Sequence, residues 1–83
     1  MTTKKTEKTK ETPVKKVVVN TNYLNLRKAP NFEADVAAVL ERGMQLDVFK
    51  DEDMKDTGWI RVETKIGTRK HKGYVVLAYT KEV

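Results

Sequence analysis

From Val17 onward the chain is built of short apolar stretches, each broken after a few residues by turn formers, and several of them alternate strictly with polar residues. Leu24 and Leu26 alternate with Tyr23, Asn25 and Arg27; Leu46 and Val48 with Gln45, Asp47 and Phe49; Ile60 and Val62 with Trp59, Arg61 and Glu63. A period of two puts alternate side chains on one face of a strand, so each segment predicts a strand with one buried face. Val17-Val18-Val19 is a β-branched run ended by Asn20, Ala29-Pro30-Asn31 stops the next segment, Gly67 supplies a turn, and Gly73-Tyr74-Val75-Val76 resumes a strand. Strands at this spacing predict a small all-β barrel or sandwich.

One segment argues otherwise. Over residues 31–42, Phe32, Val36, Val39 and Leu40 fall at helical spacing, Asn31 stands as an N-cap, and Gly43 follows the end. Local rules predict a helix there.

At 83 residues there is room for one small core, and a domain of this size buries only about 60% of the surface its unfolded chain exposes. Cysteine and serine are absent and His71 is the single histidine, so the usual nucleophile and general-base pairs cannot be assembled within the chain. No enzyme activity, cofactor or metal is expected. Asp51, Glu52, Asp53 and Asp56 lack the alternate acidic positions, glycine and distant glutamate of a calcium loop. They read as carboxylates that keep a long loop solvated.

The formal charge of +5 is unevenly placed: residues 1–16 hold six lysines against Glu7 and Glu11, leaving +1 for residues 17–83. The Lys/Thr/Glu-rich segment 1–16 has almost nothing apolar to repay ordering and is expected to be a disordered tail. It contains neither the apolar run of a secretory signal nor that of a membrane span, so neither is expected.

Leu24-Asn25-Leu26-Arg27-Lys28-Ala29-Pro30 resembles the Leu-Asn-Val-Arg-Ser-Gly-Pro signature of the bacterial SH3-like (SH3b) family. Further landmarks follow in the family's order: Val36 to Leu40 before Glu41-Arg42-Gly43, then Leu46-Asp47-Val48, then Gly58-Trp59-Ile60-Arg61-Val62, and finally Gly73-Tyr74-Val75-Val76-Leu77-Ala78-Tyr79. Ala29 stands where the family has glycine, and Tyr74 where it has a second tryptophan. The resemblance covers residues 17–83 and implies a five- to seven-stranded SH3-like barrel. It also implies a loop and strand over 31–42 in place of the helix, and a single-turn helix ending at Tyr79.

It further implies a shallow groove lined by aromatic side chains. The candidates are Tyr23, Asn25, Arg27, Phe32, Trp59, Tyr74 and Tyr79. Rigid aromatic area anchors ligands, but it also fills small cores, so packing competes with ligand contact, most directly at Trp59. Asn25 and Arg27 have two roles open to them, closing the neighbouring loop or, for Arg27, pairing with a ligand carboxylate. Lys65, Arg69, Lys70, His71 and Lys72 form a second, basic group that is either a solvated loop or a polyanion contact.

Three functions are consistent with these residues. The resemblance implies a non-catalytic module that binds cell-wall peptide or another protein. The alternatives are an accessory protein of a larger assembly such as a phage virion, with the basic tail docked on a partner, and a nonspecific nucleic-acid binder. The expected location is the cytoplasm of a bacterial host, or a phage particle.

Overall fold

A computed structural model describes residues 12–83. Its elements are β1 (Lys15–Val19), β2 (Tyr23–Arg27), β3 (Val36–Glu41), β4 (Gln45–Phe49), β5 (Trp59–Ile66), β6 (Arg69–Val76) and β7 (Thr80–Glu82), with 3-10 turns at Glu52–Met54 and Leu77–Tyr79. All pairings are antiparallel, and the strands form one sheet in the order β3-β2-β6-β5-β4-β1-β7. Among the described residues no helix is long and apolar enough to cross a membrane.

The expected barrel is corrected to an open sheet. β3 and β7 end the strand order and do not pair with each other, so the ladder does not close. The join between β2 and β6 is itself thin, a single registered pair, Arg27 with Tyr74, beside an irregularity between Leu26 and Arg27. One face of the sheet nevertheless wraps a common core of Val17, Val19, Leu24, Leu26, Leu40, Leu46, Val48, Val62 and Val75. These come from six of the seven strands, so the sheet is curled around them.

The alternation read in β2, β4 and β5 appears as burial. Leu24, Leu26, Leu46, Val48 and Val62 are buried, and Ile60 packs against them. Residues 31–42 are not a helix. They form a loop and β3, which takes its hydrogen bonds from β2 in the register Leu24 with Leu40 and Asn25 with Val39. Of the apolar set Phe32, Val36, Val39 and Leu40, only Leu40 is buried. The edge of β2 thus outweighs local helical preference.

The expected tail, residues 1–16, lies outside the described residues as far as Glu11, and its last part is corrected. Lys15 and Lys16 belong to β1, opposite Val48 and Asp47, with the Lys15 ammonium 2.9 Å from Glu82. Lys16 faces outward beside Asp47, and Lys15 stands at the exposed end of the core face, so neither charge costs the strand much, and charge hid the start of β1. At the other side of that strand β7 pairs with Val17 to Val19, and the Val83 amide donates to the Lys16 carbonyl. The C-terminal residue therefore lies beside the start of β1.

Candidate functional site

Opposite the core, the outer face of the sheet carries a groove of about 330 Å³, lined by Thr21, Tyr23, Leu24, Asn25, Arg27, Phe32, Trp59, Val76 and Tyr79. The register explains the convergence. Tyr23, Asn25 and Arg27 share the outer face of β2, and Trp59 of β5 stands directly opposite Val76 of β6. Two backbone hydrogen bonds set the remaining walls. The Leu77 amide donates to the Gly58 carbonyl, tying the second 3-10 turn to the start of β5, and the Asn20 amide donates to the Tyr79 carbonyl.

Phe32 reaches the groove from the loop between β2 and β3. Its ring meets Trp59 edge-on, with centroids 5.1 Å apart at 61°, and the Arg27 guanidinium lies 5.8 Å from its centroid. The Arg27 Nη1 donates to the Ala34 carbonyl at 3.0 Å, and the Lys28 amide to the Asp35 carbonyl at 2.9 Å. Asn31 adds an Asx turn, its Oδ1 accepting from the Glu33 amide. Arg27 therefore closes the loop and at the same time faces the groove as its only charged lining residue. Trp59 is half-buried at the rim, whereas Phe32 is 67% and Tyr23 69% exposed.

Six of the seven residues expected at a groove are brought together, and Tyr74 is not among them. It sits one row further along the outer face, opposite Arg27 on one side and Arg61 on the other. Thr21, Leu24 and Val76 were missed. Val76 was legible, since alternation places it on the face opposite buried Val75; Thr21 precedes β2 and has no periodic signal.

Lys65, Arg69, Lys70, His71 and Lys72 all lie on the β5–β6 hairpin, at the end remote from the groove. The acidic loop is used structurally. The Asp51 side chain caps the first 3-10 turn by accepting from the Asp53 amide, and it pairs with Arg61 at 3.2 Å. Among the described residues no group of three or more His, Asp or Glu side chains is placed to hold a metal.

Compared with known proteins, the chain matches no family model, no curated protein and no solved structure. What the site can do is therefore argued from its own chemistry. The Phe32–Trp59 pair and two tyrosines in the same groove as one guanidinium offer apolar contact together with a single anchor for a carboxylate or carbonyl.

Proposed function

We propose that this domain is a non-catalytic binding module of bacterial SH3-like character, with an open sheet, whose outer-face groove takes an extended peptide, in the first place a cell-wall peptide. One observation carries the reading. Four separated parts of the chain bring Tyr23, Phe32, Trp59 and Tyr79 into one groove with Arg27, with three of the four rings still exposed. A small domain short of core material gains by burying its rings. Leaving them on one face supports a role in contact with a partner. The groove is near the lower end of the usual range of ligand-pocket volumes, about 300–1,000 Å³, which suits a few residues of a peptide better than a folded ligand. Apolar side chains would lie on Phe32 and Trp59, and a carboxylate would pair with Arg27.

The test is binding to purified wall peptides, followed by fluorescence of the single tryptophan, Trp59. Phe32→Ala should weaken binding about tenfold or more while leaving the fold intact, because Phe32 is largely exposed. Arg27→Lys should weaken binding of peptides that end in a carboxylate more than that of their amides. Binding that is indifferent to Phe32 and Arg27 would remove the groove reading. Capture of a defined protein partner through the same residues, with no wall binding, would move the proposal to an assembly role.

A further inference from the structure

β5 and β6 continue past the sheet that supports them. The ladder between β4 and β5 ends at Glu63, and β2 touches β6 in register only at Tyr74. Beyond those points the strands pair with each other alone: Thr64 with His71, Lys65 with Lys70, and Ile66 with Arg69. The Thr64 hydroxyl, donating to the Gln45 carbonyl at 3.0 Å, fastens the base of this ribbon to β4. At the tip, Gly67 at φ 63° followed by Thr68 without a positive φ makes a two-residue turn of type II′.

The ribbon is cationic on both faces. Residues opposite each other share a face, so Lys65, Lys70 and Lys72 stand on one side, with Glu63 opposite Lys72 at the base, and Arg69 and His71 stand on the other, with Ile66. Lys65, Arg69, Lys70 and Lys72 are exposed, and none of them has an ion pair among the described residues. Lys65 and Lys70 are directly opposed, an arrangement that costs the fold stability and returns nothing to it. From Glu63 to Ile66 the strand rises about 10 Å. The major groove of B-form DNA is about 8.5 Å deep and admits a two-stranded ribbon.

We propose that the β5–β6 ribbon binds duplex DNA by entering the major groove, with Lys65, Lys70 and Lys72 on the phosphates of one wall and Arg69 on those of the other. Single-stranded nucleic acid fits less well, since residues 63–73 contain no Phe, Tyr or Trp, and their one aromatic ring, the imidazole of His71, lies on the face opposite Lys65, Lys70 and Lys72. Duplex RNA fits less well too, because its major groove is narrow and closed to side chains. The contacts are to phosphate, so binding is independent of sequence. The surface is separate from the groove: by strand rise along β5, Lys72, opposite Glu63, stands about 13 Å from Trp59 and the tip at Ile66 about 23 Å, and the inference does not rest on the peptide reading.

The experiment is fluorescence anisotropy of the full chain with a 20-base-pair duplex across a salt series. The wild type should bind at low salt. Replacing Lys65, Arg69, Lys70 and Lys72 by glutamine should lower affinity at least tenfold and flatten the plot of log affinity against log salt by about 3 to 4 units, the contribution of four phosphate contacts. A control with the same change in charge, Lys28, Arg42, Lys55 and Lys81 to glutamine, should stay close to the wild type. A near-ultraviolet dichroism spectrum like the wild type's establishes that each variant is folded. Equal losses in the two variants would show that net charge alone is at work and overturn the proposal. So would tighter binding to a single-stranded 20-mer, unchanged binding by the ribbon variant, or no binding by the wild type.

Discussion

Gly73 stands where β6 crosses closest to β2. A Cβ added there would collide with the Arg27 carbonyl oxygen and press on the Leu26 side chain, both fixed by the core. Since that crossing is the thin join of the sheet, strain introduced there has few neighbouring pairs to spread into. Gly73→Ala should lower the unfolding free energy by about 1–3 kcal/mol, as overpacking does elsewhere. A urea titration would register this as a lower midpoint with an unchanged slope. From the sequence Gly73 reads as the start of a strand. The demand for a missing side chain comes from β2, some 46 residues earlier in the chain, and no local pattern announces it. Leu24 and Leu26 were legible for the opposite reason, because their burial follows from alternation within β2 itself.

The β5–β6 hairpin is the longest element and serves two unlike environments. Its lower half is held between β4, along β5, and β2, along β6, and near Ile66 it pairs only with itself. Lys65 facing Lys70 makes the outer half a place where a single charge change has a predictable sign. Lys70→Glu sets opposite charges across the ladder and should stabilise the domain by about 0.2–1 kcal/mol. Thermal unfolding at low salt should rise by a few degrees, with the gain shrinking as salt screens the pair. In the same variant, duplex binding should fall. β3 shows the limit of reading elements one at a time. Its helical spacing is real, yet an edge left open by β2 decides the outcome. The groove was legible as a set of residue types, while its geometry depends on the register that brings Trp59 opposite Val76.

At the scale of the whole molecule, the sheet is assembled from partners far apart in sequence, β1 with β7 most of all. Such a topology orders distant segments before much contact energy is returned, so folding should be slow for a domain of this size, in milliseconds to seconds by stopped flow. The basic character of the chain also divides at this scale, with most net charge before Val17 and a second, balanced share of cations gathered on one ribbon. The count of charges was open to inspection in the sequence, but their projection from the sheet required the ladder. The pairing of β1 with β7, with Val83 hydrogen-bonded to Lys16, has one more consequence. Entry and exit of the fold share one spot, so the domain has the form of a cassette. A short linker joining residue 83 to residue 12, with new ends opened in the exposed loop near Lys55, should yield a circular permutant with a cooperative melt. The same property would let it be spliced into a surface loop of a host protein without prising that loop apart.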